Sequence, residues 1–240
     1  MSTGIVIGAG DVAASTVVRL QDSVQRVIAL DLSVDALTRL PGSGTSRLVQ
    51  VLGDINDEAA RAAVVRAAQG ADDSINWVLL TAGVGARGAL ETLTPARVQT
   101  TFATNVVSPV LLLQALLRDC AWASGARIVG LGSISARRPL PERTVYGATK
   151  AALEAFLVSL GVELAPRQII VNVVSAGVID SAFIAAARDD LHDWAQARVP
   201  AARLGRVDEV ADLIAYLIKD APSYLCAARV VLDGGAEALA

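Results

Sequence analysis

The sequence predicts a single α/β domain over residues 1–240, a doubly wound Rossmann fold with a seven-stranded parallel sheet. Three observations predict it. Apolar runs alternate with helical stretches along the whole chain. Most of these runs are continuous and β-branched, the pattern of strands covered on both faces. Hydrophobic residues make up 53% of the chain but aromatics only 4%, so the core is built from Ala, Val, Leu and Ile.

The elements follow in order. "GIVIG" (4–8) is the first strand, and a helix runs near 11–20. "RVIAL" (26–30) precedes a short helix at 33–39, and "RLVQVL" (47–52) precedes one at 57–69. "INWVLL" (75–80) is followed by a long helix over 95–119. "ARIVGLG" (126–132) leads to a helix over 146–165. "QIIVNVV" (168–174) comes next, then a lid over about 181–200, a helix at 207–219 and the last strand, "ARVVL" (228–232). Open parallel sheets bind ligands beyond the C-terminal ends of their strands, at the switch point. The polar residues just past each strand are therefore the candidates for function.

Several classes are excluded or disfavoured. Net charge is −3 with no basic stripe, which argues against a nucleic-acid partner. One histidine, His192, and two cysteines, Cys120 and Cys226, leave no metal cluster, disulfide framework or Ser-His triad. No basic leader or cleavage site opens the chain. The longest greasy run, "VVSPVLLLQALL", is shorter than the ~20 apolar residues of a membrane span. The expectation is a cytoplasmic protein with no membrane partner.

The first turn, "GAGDVAAS", follows a strand and opens a helix. Gly8 and Gly10 allow a tight turn and close approach of backbone to a pyrophosphate, and the helix N-terminus offers free N–H groups. Ala13 takes the third glycine position. Asp31 ends the second strand, 21 residues after Gly10, near the spacing of a ribose-binding acid. Asp54 ends the third. Each acid alone could be a helix cap; with the glycines they point to a dinucleotide. Asp31 would face the 2′-phosphate of NADP, so the expected cofactor is NAD. Asp11 in the turn adds to that repulsion, and Arg39, a helix away, is expected to face solvent.

The chain has 21 basic residues, and only Lys150 and Lys219 are lysines. Tyr146 and Lys150 lie four residues apart, on one helix face. A phenol with a pKa of about 10 is a poor base at neutral pH, and a nearby ammonium lowers it. So tuned, it can take a proton from an alcohol or give one to a carbonyl. Ser133 ends its strand and could hold the substrate oxygen. Asn105 sits in a helix among apolar residues, where its carboxamide must be satisfied; one solution is a water relay ending at Lys150.

Ser133, Tyr146-x-x-x-Lys150 and Asn105 resemble the catalytic tetrad of the short-chain dehydrogenase/reductase family. "LLTAGVG" (79–85), "VNVVSAGVIDS" (171–181), "RLGRVDEVADLIAYLI" and "SYLCAARVVLDGG" resemble further segments of it, in the same order. The resemblance implies that Tyr146 is the general acid/base and that Lys150 also grips the nicotinamide ribose. Ser133 would orient the substrate oxygen and Asn105 support a proton relay. It implies cofactor contacts from Gly8, Gly10, Asp11, Val12, Asp31, Asp54, Ile55, Thr81, Ala82, Gly83, Gly177, Ile179 and Ser181. The chain departs from the family pattern in its shortened glycine turn, and in Thr81 for Asn, Ala176 for Pro, Ser181 for Thr and Ala227 for Gly.

The leading expectation is an NAD(H)-dependent oxidoreductase that interconverts a secondary alcohol and a ketone. Related enzymes suggest a homotetramer. The rivals are a non-catalytic nucleotide-binding or scaffold protein of the same fold, and an NAD-using epimerase or dehydratase. Phe183 and Trp194 would wall a small or medium substrate pocket. Arg87, Arg137 and Arg138 stand near its mouth; arginines there could clamp a carboxylate, but these are expected to be solvated.

Overall fold

The computed structural model describes residues 1–70 and 73–239. Seven strands form one parallel sheet: β1 (Ser2–Ile7), β2 (Arg26–Asp31), β3 (Leu48–Leu52), β4 (Ser74–Leu80), β5 (Trp122–Ser133), β6 (Ile170–Ala176) and β9 (Ala228–Leu232), in the order β3-β2-β1-β4-β5-β6-β9. A small parallel pair, β7 (Ile179–Asp180) with β8 (Gly205–Arg206), lies apart from it. The order reverses at β1, which pairs with both β2 and β4. A crevice therefore opens where their C-terminal ends diverge.

Side-chain alternation divides the core into two layers. Ile5, Ile7, Ile28, Leu30, Val78 and Leu80 face α3 (Glu58–Ala68), α5 (Ser108–Asp119) and α6 (Thr144–Leu164). Val6, Val27, Ala29, Trp77 and Leu79 face α1 (Asp11–Leu20), α2 (Val34–Thr38) and α8 (Val207–Lys219). Because both faces are covered, the strands carry no polar alternation, which is why they read as continuous apolar runs.

Several boundaries differ from those expected. β3 stops at Leu52, so Asp54 lies beyond the strand, in a turn where its Oδ1 accepts the Asn56 N–H at 2.8 Å. The run at 95–119 is not one α-helix: α4 (Pro95–Phe102) and α5 are joined by a π turn over Ala103–Val107. β5 begins at Trp122, beyond a register irregularity opposite Ile75/Trp77 and a left-handed Gly125 at φ 77°. α6 begins two residues before Tyr146, which seats the phenol in its first turn.

Pro95–Asp119 and Thr144–Arg167 are apolar and long enough to cross a membrane, but 44% and 50% of their most apolar windows are buried inside the molecule. Their inward residues, such as Leu112, Leu113, Leu153 and Leu157, cover the sheet. The lid runs from a 3₁₀ stretch, Ala182–Ala187, into α7 (Arg188–Arg198).

Candidate active site

A cavity of about 660 Å³ opens at the C-terminal ends of β1, β4 and β5, beneath the lid. One end is built from the turn after β1. Gly8 has φ 89°, and a Cβ there would come within 2.5 Å of the Ala82 nitrogen. Nothing lies within 4 Å of a Cβ placed on Gly10, so the backbone is open to a ligand at that point. No side chain caps α1 at Gly10, which leaves its first N–H groups available. The Thr81 hydroxyl donates to the Gly8 carbonyl at 2.6 Å and ties β4 to the turn. That bond accounts for a threonine here: its short hydroxyl braces the shortened turn.

Asp31, Asp54, Ile55, Ala82, Gly83, Val12, Gly177, Ile179 and Ser181 all line the cavity, as the sequence led us to expect. The Asp31 carboxylate accepts from the N–H groups of Ala9 at 2.6 Å and Ser33 at 2.8 Å. Ser33, not Asp31, is the N-cap of α2, so Asp31 is free of the capping role that competed for it. Arg39 is exposed, as expected, and it also lines the cavity and pairs with Asp11 across 3.5 Å. Asp11 also accepts the Ala182 N–H of the lid at 2.7 Å. A preformed turn, an open Gly10, an uncapped helix end and a carboxylate at the end of β2 fit a dinucleotide.

The other end holds the chemistry. Ser133 and Tyr146 line the cavity together, and the Ser133 hydroxyl accepts the Ser135 N–H at 3.2 Å. The Lys150 ammonium donates to the Leu131 carbonyl at 2.8 Å and lies 5.9 Å from the centre of the Tyr146 ring. A Cβ on Gly83 would sit 3.4 Å from Asn105 Oδ1 and 3.5 Å from Lys150 Nζ, so this loop passes in contact range of both. Burial pushes the Tyr146 phenol up, while the Ser133 hydroxyl and then the Arg143 charge draw it down. Burial pushes Lys150 down to about 8, against the opposing pull of Glu154. Arg143 thus joins Lys150 as a cation beside the phenol, each 5.9 Å from the centre of the ring.

Asn105 is fully buried and stands behind the cavity rather than on its wall. Its Oδ1 accepts the Val84 N–H at 2.8 Å, and its Nδ2 donates to the Val84 carbonyl at 3.0 Å and the Thr149 hydroxyl at 2.9 Å. With its amide so occupied, the side chain clamps the loop after β4 to α6.

Two further residues were not foreseen. Glu154, one turn beyond Lys150, accepts the Ser133 N–H at 3.1 Å and pairs with Arg229 at 2.8 Å. It needs Gly132 opposite, where a Cβ would lie 2.2 Å from its carboxylate. An acid on the otherwise apolar face of α6 was the available signal. Arg143 lines the cavity beside Tyr146. Of the arginines singled out earlier, Arg87 lines the cavity and pairs with Glu142, and Arg137 is exposed. Arg138 donates to the Ala236 carbonyl and stacks 5.6 Å from Trp194. Phe183 and Trp194 both wall the cavity.

The family model described as enoyl-(acyl carrier protein) reductase matches residues 8–237. The chain is 36% identical over 132 residues to the 3-oxoacyl-(acyl-carrier-protein) reductase of Salmonella typhimurium, a stretch covering 55% of this chain and 54% of that one. The match thus spans about half the length of that reductase. It is 29% identical over 192 residues to the 2,3-dihydro-2,3-dihydroxybenzoate dehydrogenase of Escherichia coli, covering 76% and 77%. Among solved structures, a short-chain dehydrogenase/reductase of Serratia marcescens superposes with a TM-score of 0.87 at 27% identity over 98% of both chains. With the dinucleotide turn, the Ser-Tyr-Lys cluster and this match over nearly its whole length, the chain belongs to the short-chain dehydrogenase/reductase family, Rossmann-fold oxidoreductases that bind a nicotinamide cofactor.

Proposed function

We propose that the protein is an NAD(H)-dependent oxidoreductase that interconverts a secondary alcohol and a ketone, working as a cytoplasmic homotetramer. The observation that carries this reading is the convergence of Ser133, Tyr146 and Lys150 on one cavity whose far end fits a dinucleotide. The nicotinamide supplies hydride transfer when bound. The protein's own residues do the rest. Ser133 holds the substrate oxygen against Tyr146. The Tyr146 hydroxyl gives its proton to that oxygen in reduction and takes it back in oxidation. Lys150, held by Leu131, presents its ammonium to the ribose hydroxyls and the phenol. Asn105 fixes the loop after β4 against α6 through Val84 and Thr149. A scaffold or nucleotide sensor has no use for a serine, a buried phenol and a buried lysine gathered on one cavity, so turnover is favoured over that rival. The short lid disfavours the epimerase or dehydratase reading.

Tyr146→Phe removes one hydroxyl and little packing. It is expected to lower kcat by roughly 10²–10⁴-fold while cofactor still binds. The check is nicotinamide absorbance with a panel of ketones and secondary alcohols, beside a cofactor titration. Turnover within a fewfold of wild type would sink the mechanism.

NAD is preferred over NADP because Asp31 stands where the adenosine ribose hydroxyls would reach it. A 2′-phosphate about 4 Å away would be repelled by up to about 4 kcal/mol at an effective dielectric near 20. Arg39 lies on the same side but is shared with Asp11. In Asp31→Ala, kcat/KM with NADP should rise relative to that with NAD. Equal use of the two cofactors by the wild type would contradict the assignment.

A further inference from the structure

Two arginines and one carboxylate meet at the substrate end of the cavity. Arg87 Nε donates to Glu142 Oε2 at 3.1 Å, and that carboxylate is thereby taken. Arg143, the next residue, lines the cavity and is half-buried. Among the described residues its guanidinium has no ion-pair or hydrogen-bond partner; its recorded contact is with the face of the Tyr146 ring, 5.9 Å from the centroid. Of the neighbouring charged side chains, Glu142 is already paired with Arg87, which lies on the same side. The acids lining the cavity, Asp11, Asp31 and Asp54, all belong to the dinucleotide end. Apolar Leu140, Phe183, Leu191 and Trp194 line the cavity as well.

A cation drawn partly out of water without a counter-ion is costly. Its planar fork suits a carboxylate, with two parallel N–H···O bonds. We propose that Arg143 is the carboxylate-binding residue of the substrate site, and that the substrate is a short oxo acid or the matching hydroxy acid. This rests on the reading of Tyr146 as the acid/base of ketone reduction. In that direction hydride from the reduced nicotinamide forms the new C–H bond, the carbonyl π pair moves to oxygen, and the Tyr146 proton completes the hydroxyl. The nicotinamide leaves oxidised and the carboxylate is unchanged. Burial lowers the Arg143 pKa from its ordinary value, but an arginine so shifted still carries its charge at neutral pH.

The test compares levulinate with its methyl ester under NADH, in wild type, Arg143→Gln and Arg143→Lys. Wild type should favour the acid over the ester by ~10–100-fold in kcat/KM, chiefly through KM. The ratio should fall to within about threefold of unity in Arg143→Gln and recover in part in Arg143→Lys. An ester used as well as the acid by wild type, or an acid preference surviving in Arg143→Gln, overturns the proposal while leaving ketone reduction standing. A second measurement does not depend on turnover: calorimetric binding of hexanoate and hexanamide to the NAD-saturated protein. Hexanoate should bind more tightly to wild type and lose that advantage in Arg143→Gln. Equal binding of the two by wild type overturns the carboxylate site. Failure of every ketone and alcohol with this binding preference intact would overturn only the assigned reaction.

Discussion

Lys150 holds a charge that the fold disfavours. Burial lowers its pKa from 10.5 to about 8. Below about 8 the folded chain keeps a buried ammonium that the unfolded chain would keep in water. Between there and 10.5 the unfolded state binds more protons, so this group's contribution to stability improves as pH rises. Lys150→Met removes the penalty but also the bond to Leu131. The variant is therefore expected to be inactive yet more stable at neutral pH, by about 2 kcal/mol or roughly 4–8 °C in Tm. Its advantage should shrink in melts taken towards pH 10. A gap that widened with pH would show that the ammonium is not strained in the fold. Tyr146, Lys150, Ser133 and Asp31 were legible in the sequence because each is fixed by local spacing: one helical turn, or the last residue of a strand. Arg143 and Glu154 were not, because their roles arise only when distant elements approach.

At the scale of elements, α5 and α6 carry more apolar surface than the sheet can cover. Val162 is 68% exposed, Val107 49% and Leu111 40%, on helices whose other faces are buried in the core. Those outward residues are expected to pack across two-fold axes in a tetramer. Sedimentation at micromolar concentration should give a mass near four times 24.8 kDa, and Leu111→Glu with Val162→Glu should yield smaller species. A stable wild-type monomer would reject the assembly. Continuous β-branched runs placed all seven main strands, because burial on both faces writes itself into composition. The π turn at Ala103–Val107 left no such mark. A one-residue shift in hydrogen bonding changes no residue type, so the segment read as unbroken helix. The clamp that Asn105 makes on Val84 was hidden for the same reason: the sequence shows a buried amide but not its partners.

Across the whole molecule, the fold brings residues from both halves of the chain to one cavity. Gly8 and Asp31 come from the first half, Ser133, Tyr146 and Ser181 from the second. Their order along the sheet was predictable from the alternation of strands and helices, and so was the crevice beside β1. What was not predictable is the brace between its two rims. Asp11, at the head of α1, holds the Ala182 amide of the lid 171 positions later, and Arg39 steadies the same carboxylate from the other side. Opening the lid must break this bond, so the turn and the lid should breathe as one unit. Amide hydrogen exchange can time that motion. Residues 182–187 should exchange faster in Asp11→Ala than in the parent, with the central strands unchanged. Unaltered exchange there would mean the lid is latched elsewhere. If the brace holds, a single carboxylate near the amino terminus sets how long the entrance stays shut, and hence how quickly anything inside can leave.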